Sequence, residues 1–279
     1  MKIEFTKMHG CGNDYIFFNC INHDINKPEE LSKSISNRHF GIGGDGIVLI
    51  YKSNKADAKM RMFNADGSEG KMCGNAIRCI GKYLFDNEII KKKNVTIETI
   101  SGVKNLTLHI INNLVSSVTV DMGKAEFLPS KIPVKLNGEK IINRKISING
   151  EDYKITCVSI GNPHCVVFQD NIENLNLMSI GPNFENFPIF PERINTEFVK
   201  VIDKNTIKMR VWERGSGETL ACGTGACAAA VAAVENRFCN KGEDIYVILK
   251  GGELIINYTN ERILMTGKAE KVFDGYIEI

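Results

Sequence analysis

Two cysteines stand in near-matching settings 149 positions apart, Met72-Cys73-Gly74-Asn75-Ala76 and Ala221-Cys222-Gly223-Thr224-Gly225. The first follows Asn64-Ala65-Asp66-Gly67-Ser68-Glu69-Gly70, the second Glu213-Arg214-Gly215-Ser216-Gly217-Glu218-Thr219. In both, a polar, glycine-rich turn delivers a Cys-Gly pair and an Ala-rich stretch of helical character follows. A thiol at a helix start meets free N–H groups and the positive end of the macrodipole, which lowers its pKa toward neutrality. The same N–H groups make a carboxylate site. Gly74 and Gly223 let a ligand approach the backbone closely, and Asn75 and Thr224 add hydrogen-bonding side chains. Two such elements facing each other would hold one α-carboxylate between two thiols. One thiolate would then remove the α-proton and the opposite thiol would reprotonate the other face. Close helix packing also suits a Cys-Gly pair before an Ala-rich helix, and two copies with matched polar lead-ins weigh against packing alone.

The other candidates read as less specific. Nine cysteines in a long chain with no signal peptide in Met-Lys-Ile-Glu-Phe-Thr-Lys argue for reduced thiols in the cytoplasm, not a disulfide framework. Cys79 and Cys227, one to two turns into the same helices, read as packing residues, and Cys11 in its glycine-flanked turn is open. His9 with Cys11, and His164 with Cys165, lack the C-x-x-C or paired-His spacing of a zinc site, so no metal is expected. The Gly41-Ile-Gly-Gly-Asp-Gly46 loop is no dinucleotide fingerprint, because no helical pattern follows it.

The elements that must position these thiols are mostly strands. Runs at 14–19, 46–51, 58–63 and 95–100 are short, β-branched or aromatic, or alternate apolar and polar residues. Leu106 to Val120 predicts a hairpin around Asn112-Asn113, and strands recur at 154–160, 165–168, 196–202 and 206–212, with three more after Asn240. Helices are expected over Pro28–Arg38, Cys73–Phe85 and Cys222–Asn236, with a weaker one over Leu175–Phe187. The order strand, Gly-rich turn, Cys, helix thus occurs twice, and the pattern restarts near Gly123. A hydrophobic fraction of 43% and a net charge of +2 fit a globular protein and give no reason to expect nucleic acid or an anionic membrane as partner. The longest apolar run, Leu220 to Val234, is Ala-rich and too short to span a bilayer.

Six ordered blocks resemble the diaminopimelate epimerase family over nearly the whole chain. They are Met8-His-Gly-Cys-Gly-Asn-Asp-Tyr15 with Arg38-His-Phe-Gly-Ile-Gly43; Phe63-Asn-Ala-Asp-Gly-Ser-Glu69; Cys73-Gly-Asn-Ala-Ile-Arg78; Gly161-Asn-Pro-His164; Ile194-Asn-Thr196; and Glu213-Arg-Gly215 leading into Cys222-Gly-Thr-Gly225. The resemblance implies an α+β fold of two pseudo-symmetric domains, each a mixed, mostly antiparallel sheet or barrel around a central Cys-led helix. The domains would be 1–122, joined by a C-terminal strand of about 268–279, and 123–267. It implies a cofactor-independent, cytoplasmic, homodimeric isomerase that interconverts LL- and meso-2,6-diaminopimelate for lysine and peptidoglycan precursors. Cys73 and Cys222 would be the acid–base thiols. Asn13, Asn64, Asn162, Asn195, Glu213 and Arg214 would bind substrate along with Gly74, Asn75, Gly223 and Thr224, while His164 and Glu213 would tune the thiols. Some members carry Phe-Asp-Gln where this chain has Gly44-Asp45-Gly46, so any contact at Gly46 must come from backbone. Two alternatives are a proline or hydroxyproline racemase of the same fold, which usually shows Cys-Gly-His at the first thiol, and a non-enzymatic thiol redox or metal-binding protein.

Overall fold

Alternation of apolar and polar residues writes strands through most of the chain. In the computed structural model, which describes residues 2–278, the contacts divide it into two units: Met122–Met265, and the remainder up to Asp121 together with the stretch from Thr266 onward. The α+β class expected from sequence is what is found.

The first unit opens with β1 (Lys2–Gly10) and β2 (Asn13–Asn19), an antiparallel hairpin in which Gly10 pairs with Asn13. Its two-residue turn, Cys11-Gly12, holds φ of 53° and 80°, the doubly left-handed turn that matches the twist of a hairpin. Helix α1 (Pro28–Ile35) starts at a proline with Glu29 and Glu30 in its first turn. It stops short of the expected Arg38, at Ser36, whose N–H bonds Ser32 O. Strand β3 (Gly46–Tyr51) runs parallel to β2 and antiparallel to β4 (Ala58–Asn64). In β4 Ala58, Met60 and Met62 are buried and Lys59 and Arg61 are not, the period of two that betrays a half-covered strand. The short β5 (Glu69–Gly70) folds back on β4 and leads into α2 (Gly74–Asp86). Then β6 (Asn94–Thr99), β7 (Gly102–Ile111) and β8 (Leu114–Gly123) form a meander, with β6 also parallel to β4. Helix α2 packs on β1, β2 and β7, and Gly81 lets Leu106 and Leu108 press against its backbone: a Cβ there would lie 3.0 Å from either.

The second unit repeats this plan. A hairpin of β9 (Ile141–Ile148) and β10 (Glu151–Ser159) continues antiparallel into β11 (Pro163–Phe168). Helix α3 (Leu177–Glu185) follows, and then β12 (Asn195–Val201) lies parallel to β11 and antiparallel to β13 (Thr206–Glu213). The short β14 (Gly217–Thr219) folds back on β13 and leads into α4 (Gly223–Glu235). Strand β15 (Asp244–Leu249), parallel to β13, then pairs with β16 (Gly252–Tyr258), and β17 (Ile263–Gly267) follows. Helix α4 is buried on nearly every face from Gly223 to Val234 and touches β10, β11, β12, β13, β15 and β16, so it is the centre of the unit's core. The last strand, β18 (Glu270–Glu278), belongs to the first unit and pairs antiparallel with β1.

The sequence reading had no strand for Lys2–Gly10 or Ile141–Ile148. The first is too rich in charge, with Lys2, Glu4 and Lys7, to read as apolar, although Ile3, Phe5 and Met8 are buried. In the second, Asn143, Arg144 and Lys145 are exposed and only the two ends are buried. Among the described residues, no helix is long and apolar enough to cross a membrane.

Candidate active site: a cysteine at the head of each central helix

Both thiols fall where the sequence puts them. Cys73 and Cys222 are the N-cap residues of α2 and α4, with extended backbones (φ −126°, ψ 123° and φ −116°, ψ 114°). Their carbonyls accept the first helical bonds, from Ile77 N and Ala226 N at 3.0 and 2.9 Å. Gly74 and Gly223 are the first helical residues.

In the first unit, Cys73 Sγ donates to Asn13 Oδ1 at 3.3 Å, and Asn75 Nδ2 donates to the same oxygen at 3.1 Å. Asn13 Nδ2 in turn donates to Asp45 Oδ2 at 2.6 Å. Asp45 sits in a charged cluster: Arg38 bonds both Asp14 and Asp45, and Lys7 pairs with Asp14 at 2.7 Å. Burial pushes the Asp14 carboxyl up, but the bonds from Arg38 and Lys7 outweigh it and hold it below the usual carboxylate range. Arg78 is fully buried beneath the helix start, bonding Gly74 O at 3.0 Å, Asn75 Oδ1 at 2.9 Å and Lys268 O at 3.3 Å. Gly10 makes room for it, since a Cβ there would lie 2.9 Å from Arg78 Nη2. Tyr15 lines the same corner; burial, and then the neighbouring Cys73, push its phenol well above the usual value. Asn64 ends β4, and its amide bonds Ser68 Oγ at 3.0 Å, so it belongs to the turn that leads to Cys73.

In the second unit, Cys222 Sγ lies 3.5 Å from Thr224 Oγ1 and accepts from Gly225 N at 3.4 Å. Glu213, at the end of β13, accepts from Thr219 Oγ1 at 2.5 Å and faces the Cys222 thiol electrostatically. Asn195 donates to Pro163 O at 2.8 Å and accepts from the Arg214 backbone N–H at 3.0 Å, tying the starts of β11 and β12 to the end of β13. Arg214 Nη1 donates to Glu192 O at 2.8 Å. His164 and Glu197 are both fully buried and bonded at 2.7 Å through Nδ1 and Oε1, and His164 Nε2 meets Asn162 Oδ1 at 3.0 Å.

One expectation changes. The helix start does not lower the Cys222 pKa. Burial pushes that thiol well above its usual value, the charges of Glu213 and Glu197 push the same way, and the Thr224 and Gly225 bonds only partly oppose them. Full burial can shift a pKa by about 3–5 units, whereas a helix terminus is worth about 0.3–2 kcal/mol, so desolvation wins. His164, expected to tune a thiol, has both ring nitrogens taken by Glu197 and Asn162. Four residues of these corners were not picked from the sequence: Asp45, Tyr15, Arg78 and Glu197. Signals existed for two of them. Arg78 interrupts the apolar face of its helix, and Glu197 stands inside the otherwise apolar run of β12. Among the described residues, no group of three or more His, Cys, Asp or Glu side chains is placed to hold a metal ion.

The arrangement of strands around these helices is a known fold. It matches a PhzF-family phenazine biosynthesis protein from Bacillus anthracis with a TM-score of 0.72 at 14% identity over 100% of both chains. A hydroxyproline epimerase from Agrobacterium vitis matches with a TM-score of 0.68 at 12% identity, covering 99% of this chain and 91% of that one. Such distant likenesses define the fold class alone. Sequence narrows it: the family model described as diaminopimelate epimerase matches residues 5–128 and 156–272. Diaminopimelate epimerases from Acetivibrio thermocellus and Desulfovibrio desulfuricans are 50% and 51% identical to this chain, each over 99% of it and 99% and 98% of their own lengths. The chain belongs to the diaminopimelate epimerase family.

Proposed function

We propose that this protein interconverts LL- and meso-2,6-diaminopimelate by moving one α-proton, with Cys73 and Cys222 as the two acid–base groups. The observation that carries the reading is the cysteine N-cap repeated on both central helices in a member of this family. The chemistry needs one thiol for each face of the α-carbon, and the repeated N-cap provides two. A thiolate takes the α-proton and leaves a planar carbanion delocalised into the carboxylate. The other thiol then gives its proton to the opposite face. The configuration inverts, and the two sulfurs exchange protonation states.

The helix starts supply backbone N–H groups of Gly74 and Asn75, and of Gly223 and Thr224, for carboxylate oxygens. Asn13, Asn64, Asn162 and Asn195 offer amides that serve ammonium or carboxylate, Arg214 offers a guanidinium fork, and Glu213 a counter-charge for an ammonium. No cofactor is needed, because these groups stabilise the carbanion directly. A cytoplasmic homodimer completes the reading, with products feeding lysine and peptidoglycan synthesis. A racemase acting on proline is disfavoured by Asn75, where such enzymes usually carry His.

The test is exchange in D₂O with LL-diaminopimelate and no added cofactor. Deuterium should enter at the inverted α-carbon, Cys73→Ala and Cys222→Ala should each abolish inversion, and proline should not react. Full turnover by the double variant would sink the proposal.

A further inference from the structure

The thiol of Cys73 faces an oxygen whose position is imposed from two sides. Arg78 has only donors, so the atom of Asn75 that it meets at 2.9 Å is the carbonyl oxygen Oδ1, which turns Asn75 Nδ2 toward Asn13. At the other end, the Asp45 carboxylate has only acceptors, so the atom of Asn13 it meets at 2.6 Å is Nδ2. Asn13 Oδ1 is thereby turned toward Cys73 Sγ, 3.3 Å away, with its second lone pair taken by Asn75. Asp45 is itself held, since its Oδ1 accepts from Arg38 at 2.9 Å and its Oδ2 also accepts from Asp14 N at 3.1 Å.

We propose that Asp45 is a positioning residue, which locks the Asn13 carboxamide with its oxygen on the Cys73 thiol. An oxygen there accepts the S–H bond and aims the thiol proton; a flipped amide would present an N–H and favour the thiolate. The inference rests on the reading of Cys73 as an acid–base thiol only for its effect on turnover.

Asp45→Ala removes the acceptor of Asn13 Nδ2 and so frees the carboxamide to turn over. In the folded full-length protein, alkylation of Cys73 by iodoacetamide at a fixed neutral pH, followed by peptide mass spectrometry, should run several-fold faster than in the wild type. Turnover should fall by about 10–100-fold, the usual penalty for removing a partner that orients an active-site ligand. Asn13→Ala should fall similarly, and the double variant should be no worse than the weaker single, because Asp45 acts through Asn13. Multiplying losses with unchanged alkylation would mark a merely structural role and overturn the proposal. Faster alkylation with unaltered turnover would uphold the positioning and count instead against Cys73 as an acid–base group.

Discussion

At Cys222 two influences of opposite sign meet, and their sizes decide the chemistry. The helix start favours a thiolate, while a dry surrounding and two carboxyl groups favour the thiol and prevail. Alkylation of Cys222 in the substrate-free protein should therefore be slow at neutral pH and accelerate only above the ordinary thiol range, as mass spectrometry across a pH series would record. Glu197 is the second residue where burial dominates: burial pushes its carboxyl up, and His164 opposes this. Its Oε1 is bonded to His164, while Oε2 is buried with no hydrogen-bond partner. Glu197→Ala would leave the buried His164 Nδ1 without its partner and should cost about 1–3 kcal/mol, read by urea unfolding. The sequence displayed the cysteines and amides because their types and order are distinctive. It did not display Asp45 or Tyr15, since a loop aspartate and a strand tyrosine carry no mark until the fold brings them to a thiol.

At the scale of elements, glycines record how closely backbones approach. A Cβ at Gly46 would run into the Phe63 carbonyl across the β3–β4 pairing, and that carbonyl cannot swing away without breaking the ladder. Gly46→Ala should lower stability by about 1–3 kcal/mol or more. Gly102, at φ 98° with nothing within 4 Å of a built Cβ, should lose only about 1–2 kcal/mol on the same change, from backbone strain. Thermal melts of the two variants side by side would check the ranking. This is also why Gly46 lacks a side chain to offer a ligand. Helices α2 and α4 were legible in outline, from the polar turn, the Cys-Gly start and the apolar run. Strand β9 was not, because Asn143, Arg144 and Lys145 remain exposed and leave the sequence with no clear period.

Across the whole molecule, many thiols and phenols shift in one direction. Burial pushes the thiols of Cys20 and Cys79 up to about 12, and Cys165 and Cys222 also lie well above the usual 9.0. The Tyr153 phenol rises to about 12, through burial and then Glu151. The folded chain thus prefers the neutral forms. That contribution is complete below the unfolded-state values and is lost as pH climbs toward the folded ones. Melting temperature should hold to about pH 8.5 and fall progressively over about pH 9–11, which scanning fluorimetry in a buffer series would show. A flat or rising profile would contradict it. The twofold plan of strands and helix could be read in the repeated order of motifs, whereas the return of the last strand to the first unit depends on pairing between chain ends, which no local pattern encodes. That pairing sets a timetable for synthesis. Met122–Met265 is continuous and can close its core soon after it leaves the ribosome, but β1 waits for β18, which is made after that whole unit. Until then Ile3 and Phe5 stand on an unzipped margin, so the unit that starts first closes after the second. A chain shortened before Glu270 should accumulate as aggregate, with its second unit still resistant to protease.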